Sequence, residues 1–470
     1  MRMAFAAQAG LQLGLDPLHR FSVAIVTHHL ARELAALHTI LIFGGEPSSQ
    51  DGFSAAVSFR PLGYPSPWYS KPLSLFDRLS DAPLLSGLLF ETPLYHPRHA
   101  IRLAIALRKE RVELVHLHNC FQAIPLIRAF NPDIRIVLHM HCEWLRTVQS
   151  RFAKAALGEA DMVIGCSDHV CEQIRAAHPH IASRVRTVYN GVDERRFTPA
   201  QSTEPADGPR RIVFAGRISP EKGLHTLIDA LPEVVAAFPD VQLEIIGPNA
   251  PQSARFLAAL GDPLVDPRRP GFATFLARSY LNELRRRAEL LAPGHVTFTT
   301  RNISHEELSL RFRQAALVVS PSLAEAFGMP LVEAMASGVP VVATRVGGIP
   351  EVVGDRAGLL VRPERPAELA SAICRILADP LRARAMGSAG RARVLERFTW
   401  TKIASRYLEL VAEVTRNSPG PRARSSASRR TAATASAWFV SELFAPPGTR
   451  WNSTRFAKAL QAFTGSSDGS

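Results

Sequence analysis

LVVSPSLAEAFGMPLVEAMASGVPVVAT, Leu317–Thr344, decides the fold of this chain. It opens on an apolar strand-like run, LVVSPS (Leu317–Ser322), and passes through a small knot, Phe327-Gly328-Met329-Pro330. A helical pattern follows at Leu331–Ala336, and a second apolar run at Val339–Ala343. Apolar runs of strand length that alternate with helical patterns imply parallel sheets covered by helices on both faces.

The same alternation extends outward through most of the 470 residues. Toward the N-terminus the runs are Met3–Ala7, Thr39–Phe43, Val57–Pro61, Val112–Leu117, Ile134–Met140, Met162–Gly165 and Val185–Val188. Nearer the opening stretch they are Arg211–Gly216, Val241–Gly247 and Val296–Thr299, with Gly358–Val361 beyond it. Helical patterns lie between them, among them Arg98–Arg108, Ile124–Phe130, Leu224–Ala237, Ala277–Leu291 and Ser304–Gln314. The fold class is therefore α/β, in two doubly wound Rossmann-like domains. The polar segment FTPAQSTEPADGPR (Phe197–Arg210) parts them. We expect a first domain over residues 1–197, a linker at 198–210 and a second domain over 211–416. The pattern Thr401–Val414 closes the second domain and is placed to pack back on the first. Residues 417–470 are low in complexity and read as a disordered tail.

The formal net charge is +13. Seven basic and two acidic residues from Asn417 onward give the tail +5, which leaves +8 for the rest. No nucleic-acid recognition motif accompanies the charge, so nucleic acid is not an expected partner. An anionic membrane face and phosphorylated ligands stay open. The five cysteines are odd in number and form no C-x-x-C pair, which points to a reducing compartment. No apolar run approaches the ~18 residues of a membrane span. The first residues, MRMAFAAQAGLQLGL, read as a first strand rather than a signal peptide, because Gln8 and Gln12 break the apolar stretch. A cytoplasmic protein is expected, with a peripheral position at the inner membrane face left open.

Two turns carry candidate chemistry. In RIVFAGRISPEKGL (Arg211–Leu224) a strand ends at Ala215-Gly216, Ser219 suits an N-cap and Pro220 the first helical position. Lys222 would then fall in the first helical turn, where the helix end already carries about +0.5 charge. Arg217 stands just ahead of it. Two cations there are costly unless an anion lies between them, and phosphate is the usual solution. In AEAFGMPLVEA (Ala324–Ala334) Pro330 again suits the first helical position, and Gly328-Met329 opens backbone amides to a ligand. Glu333 would lie in the first turn, where acids are favoured in any case. Glu325 precedes the turn and lies beyond capping reach. Carboxylates accept hydrogen bonds from hydroxyls, so a sugar suits both. TRVGGIPEVV (Thr344–Val353) is a third glycine-rich turn.

Arg217, Lys222, the E-x7-E pair Glu325 and Glu333, and the run EAFGMPLVEAMASGVPVVATRVGGIPEVV together resemble the retaining glycosyltransferases of family 4, which have the GT-B fold. The resemblance runs from Arg211 to about Leu410 and more loosely back through VYNGVD, ADMVIGCSDHV and VLHMHCEW. It implies a nucleotide diphosphate sugar as donor substrate, with no other cofactor. Arg217 and Lys222, with Gly328 and Met329, would hold the donor diphosphate, Glu333 the ribose, and Glu325 the transferred sugar. Arg301 and Asn302 would lie near the base. His141 would stand at the reacting centre beside Glu325, although His116, His118 and His139 are close to it in the motifs. The chain has no D-x-D pair, so the cations would take the place of a metal. The acceptor would be a glycan, a lipid-linked molecule or a small molecule. The sequence departs from the family at Phe21-Ser22, where a Gly-Gly is expected in the first-domain loop near the donor. The Pro- and Arg-rich segment Asn249–Arg278 reads as an insertion. A nucleotide-sugar epimerase of the same architecture and a non-catalytic nucleotide-sugar binder are the alternatives.

Overall fold

The short apolar runs pair, in parallel throughout, into two sheets. The computed structural model describes residues 1–7, 22–44, 56–60, 62, 79, 89–200, 208–251, 254–269, 272, 275 and 279–417. Phe21 and residues 418–470 of the tail lie outside the described residues, as do parts of the linker and of the Asn249–Arg278 segment.

The first sheet is built from β1 (Arg2–Ala7), β2 (Thr39–Phe43), β3 (Val57–Arg60), β4 (Leu114–His118), β5 (Arg135–Met140), β6 (Met162–Gly165) and β7 (Val185–Thr187), in the order β3-β2-β1-β4-β5-β6-β7. The second is built from β8 (Arg210–Ala215), β9 (Val241–Ile246), β10 (Val296–Thr299), β11 (Leu317–Ser320), β12 (Val341–Thr344) and β13 (Gly358–Val361), in the order β10-β9-β8-β11-β12-β13. The N-terminal run is thus the middle of a sheet, paired with β2 on one side and β4 on the other. The edge strands β3 (VSFR) and β10 (VTFT) alternate, whereas strands covered on both faces favour apolar residues at every position, as β6 (MVIG) does. β4 obeys this with two histidines in it, LVHLH, buried along its length.

Serine caps fix several helix starts. Ser150, Ser167 and Ser304 each accept a hydrogen bond from the backbone N–H three residues on. Such a cap is worth about 1 kcal/mol. The last helix, Trp400–Asn417, leaves the second domain and covers the first sheet. Its Trp400, Ile403, Tyr407 and Leu410 share one buried cluster with Phe5, Val26, Ile42 and Val137. Among the described residues no helix is long and apolar enough to cross a membrane.

Strand order places the ligand edge of each sheet. In each sheet the chain winds outward from a central pair, β1 with β4 and β8 with β11. The loops leaving such a pair diverge to opposite faces and open a crevice beyond the strands' C-terminal ends. The loops after β8 and β11 hold Arg217, Lys222 and Glu325. The residues that end and follow β4 and β5 include His118 and His141.

Candidate active site

The loop after β8 is shorter in helix than its sequence suggests. Pro220–Lys222 makes a single 3-10 turn, Gly223 turns left-handed at φ 65°, and the long helix begins only at Leu224. Lys222 therefore stands ahead of the helix rather than in its first turn. Ser219 occupies the cap position, but its hydroxyl makes no cap bond and instead donates to Glu221. The two cations are also not left unpaired. Arg217 donates to the buried Glu221 at 3.1 Å, and Lys222 Nζ donates to Glu325 Oε2 at 2.7 Å. Each cation is matched by one of the protein's own carboxylates, Glu221 for Arg217 and Glu325 for Lys222. Gly223 makes the second pairing feasible: a Cβ there would sit 2.0 Å from the Pro321 carbonyl oxygen, so only glycine lets the two loops touch.

The loop after β11 is held from below by the third glycine-rich turn. Gly348 N–H donates to the Glu325 carbonyl at 3.0 Å. A Cβ on Gly347 would meet that same oxygen at 1.9 Å. This third glycine-rich turn is thus the seat of Glu325. Gly328 caps the next helix in the left-handed region, with Met329 first and Pro330 second in the helix Met329–Ala336. Glu333 lies one full turn in rather than in the first turn, so the helix end does not account for it. It is buried, and burial pushes its carboxyl up to about 8. His305 Nε2 lies 3.9 Å from its Oε1. Arg301 is exposed beyond β10 and forks onto Glu307 at 2.9 and 2.6 Å. Asn302 follows it, half-buried, ahead of the helix His305–Arg313.

Across the cleft, His141 follows β5. Its backbone N–H donates to Asn119 Oδ1 at 2.9 Å, and its ring Nε2 lies 2.8 Å from His118 Nδ1. Burial pushes its imidazole down to about 3. His116, His118 and His139 are buried beside it and are held well below the ordinary imidazole range, mainly by burial. Ser22 begins the helix Ser22–Leu34 as an exposed residue.

The two edges meet. Cys166 Sγ lies 3.9 Å from the carbonyl oxygen of Ala326, next to Glu325. Glu351, from the second domain, accepts from the backbone N–H groups of Asp168 and His169 at 2.7 and 2.6 Å. The described part of the Asn249–Arg278 segment also reaches over. Leu257, Leu260, Val265 and Phe272 bury themselves with Leu323 and Ala324, and Trp144 of the first domain packs against that cluster. Motif reading did not single out Glu221, Gly347 or Glu351 as site supports. Glu351 acts on residues distant in sequence and Gly347 through backbone, while Glu221 lies only four residues from Arg217, and only the tight P-E-K-G and G-G-I-P spacing hinted at Glu221 and Gly347.

Comparison with known proteins covers both domains. Residues 196–393 match the family model described as "Glycosyl transferases group 1", and residues 23–196 match "Glycosyltransferase Family 4". The alpha-maltose-1-phosphate synthase of Mycolicibacterium smegmatis is 33% identical over 286 residues, 57% of this chain and 67% of that protein. The glycogen synthase of Mycobacterium tuberculosis is 27% identical over 330 residues, 67% of this chain and 72% of that protein. Among solved structures, sucrose-phosphate synthase from Thermosynechococcus elongatus superposes with a TM-score of 0.64 at 24% identity, over 89% of this chain and 100% of that one. Anabaena HepE, solved in complex with UDP and glucose, gives a TM-score of 0.61 at 20% identity, over 87% of this chain and 99% of that one. These two likenesses are of fold, and the fold is the GT-B arrangement of two Rossmann-like domains.

Proposed function

We propose, from the premise that this chain belongs to the group 1, family 4 glycosyltransferases, that it moves a sugar with retention from a nucleotide diphosphate sugar to an acceptor hydroxyl. The observation that carries the reading is the 2.7 Å pair of Lys222 and Glu325, at the central edge of the second sheet. A cation and a carboxylate paired across two loops are separable by a ligand that offers each a better partner. A diphosphate offers Lys222 and Arg217 more negative charge than a single carboxylate does. The sugar attached to it offers Glu325 its hydroxyls. Donor binding thus exchanges one internal ion pair for two matched contacts.

The barrier lies in breaking the bond from the anomeric carbon to phosphate as the diphosphate gains charge. Arg217, Lys222 and the amides at Gly328-Met329 would stabilise that charge, and donors fixed before the reaction need no reorganisation during it. In this reading those groups, rather than a metal, offset the leaving group. Glu333 would take the ribose hydroxyls, Arg301 and Asn302 would flank the base, and His141 would face the transferred sugar from the first domain. Ser22 would begin the first-domain side of the donor site. The acceptor, whether glycan, lipid-linked or small, would enter from the first domain. UDP in HepE and the GDP-mannose named for a Corynebacterium glutamicum mannosyltransferase, 30% identical over 284 residues, bracket the donor bases to test first.

A thermal-shift panel with UDP, GDP, ADP and CMP tests the reading. A ligand at a hundredfold its Kd adds about 2.7 kcal/mol. One nucleoside diphosphate should raise the Tm of the wild type and leave Lys222→Ala unmoved. An equal shift in both proteins would remove the phosphate site from this loop. Sugar-nucleotide conversion without acceptor, to an isomer rather than to free diphosphate, would replace transfer with epimerisation.

A further inference from the structure

Four imidazoles stand against one another at the ends of β4 and β5. Ring centroids lie 4.5 Å apart for His116 and His118, 4.0 Å for His139 and His141, and 5.1 Å for His118 and His141. His116, His118 and His139 bring one ring nitrogen each within 4.8 Å of the others, a spacing that a metal could use. Their hydrogen bonds decide otherwise. His116 has Nδ1 on the Tyr407 hydroxyl at 2.9 Å and Nε2 on His139 Nδ1 at 3.1 Å. His118 has Nε2 on the Thr27 hydroxyl at 3.0 Å and Nδ1 on His141 Nε2 at 2.8 Å. Of these four rings only His139 Nε2 and His141 Nδ1 keep no partner among the described residues, and structural metal sites need about four ligands.

The same bonds have a direction. Thr27 Oγ1 lies 2.8 Å from the Val23 carbonyl, which only accepts, so the single hydroxyl hydrogen is used there. Thr27 must then accept from His118, which places a proton on His118 Nε2. Burial and the neighbouring imidazoles keep His118 neutral, so its Nδ1 is bare and accepts. His141 must then donate from Nε2. It too is neutral, so its Nδ1 carries a lone pair, buried and without a partner among the described residues.

We infer that Thr27 and His118 are positioning residues that lock His141 in its Nε2–H tautomer and present Nδ1 as a hydrogen-bond acceptor to a hydroxyl of the bound sugar nucleotide. The tautomer follows from the hydrogen-bond geometry with both rings neutral, and the role of Nδ1 rests on the proposed function. The first domain would thus read a hydroxyl through a group whose polarity is set by a threonine two residues removed in the hydrogen-bond chain.

The test is to follow the tautomer directly in the full chain with 15N-labelled histidine. His118 and His141 are assigned by loss of signal in His118→Asn and His141→Asn, and protonated nitrogens by their long-range couplings. The wild type should show both rings neutral with the proton on Nε2. Thr27→Val keeps the side-chain shape and removes the acceptor. His118 should then carry its proton on Nδ1, and His141 should follow, turning Nδ1 into a donor. Thr27→Ser should restore the wild-type pattern. Release of nucleoside diphosphate from UDP-glucose, GDP-mannose and ADP-glucose is measured alongside. For whichever is turned over, Thr27→Val should lower kcat about tenfold with the donor KM within about twofold, the loss of one hydrogen bond. A wild-type His141 proton on Nδ1, or a His141 tautomer unmoved by Thr27→Val, overturns the relay. A tautomer that moves with kcat unchanged keeps the relay and removes His141 from the sugar. Turnover of none of the three leaves the tautomer result decisive and counts against the proposed function.

Discussion

The ligand edges of the two sheets differ in kind. The second presents full charges that neutralise one another, Arg217 with Glu221 and Lys222 with Glu325. The first presents uncharged imidazoles ordered by hydrogen bonds, from Thr27 through His118 to His141. The charged edge is built from two adjacent loops, and its partners are chosen by Coulomb attraction. The neutral edge is assembled from a helix and two strands, and its polarity is set by which atom holds a proton. A diphosphate needs the first kind of surface, and a hydroxyl can be oriented by the second without the desolvation cost of a buried charge.

The largest effect should come from the charged edge. Lys222→Ala should lower turnover by about a hundredfold to a thousandfold, the usual loss of a preorganised charge facing a leaving group. Sugar-nucleotide cleavage assays with and without EDTA check it, and EDTA should leave the wild-type rate unchanged. A loss below about tenfold would make the pair with Glu325 structural only.

Glu333 sharpens the contrast, because it is a carboxyl on the charged edge held neutral by burial. Its folded pKa is about 8 against an ordinary 4.5, so between those values the folded chain keeps a proton that the unfolded chain has lost. Its contribution to stability is full below pH 4.5 and is lost as pH rises through about 8. Glu333→Gln carries no such penalty. It should gain on the wild type as pH rises, by on the order of 1–3 kcal/mol at pH 8.5, while nucleotide binding weakens about tenfold. Urea midpoints at pH 5 and 8.5 measure the first, and calorimetry with the nucleotide found above the second. A stability gap that does not widen with pH would break the assignment.

Glu351 joins the two edges, so its removal should loosen their relation without touching either. Glu351→Gln keeps one acceptor for two N–H donors and should cost about 1 kcal/mol, a fall of roughly 2–4 °C in Tm. Calorimetric Tm with and without bound nucleotide checks whether the ligand recovers it. The smallest effect belongs to Arg301→Ala. Its fork onto Glu307 is solvent-exposed, so Tm should not move. Affinity for one nucleoside diphosphate over another should change a fewfold, and an unchanged ranking would take Arg301 away from the base.

Much of this was legible in one dimension. The strands at Thr39–Phe43, Met162–Gly165, Val296–Thr299 and Gly358–Val361 begin and end where their apolar runs do. Met162–Gly165 is apolar and buried along its length, so no polar residue blurs its ends. The helix entry at Ser219-Pro220 was misread for a reason that lies outside the motif. Proline and serine do open a helical turn there, but Gly223 leaves for the left-handed region because the Pro321 carbonyl occupies the space where a Cβ would be. Glu333 was misplaced by a single turn of helix, which is enough to move it from a stabilising helix end to a buried wall.

By itself the sequence determined the alternation of strands and helices, the division into two parallel-sheet domains, and the residue types gathered after β8 and β11. Those features are local, written in periodicity, in proline and glycine, and in residues a few positions apart. Only the tertiary structure decided the pairings: Lys222 with Glu325, 103 residues away, and Tyr407 with His116, 291 residues away. It also decided that Gly347 carries Glu325 and that His141 is neutral. The reason is physical. A hydrogen bond, an ion pair or a shifted pKa belongs to a distance and a burial, and both are set by how sheets and loops far apart in the chain come to touch.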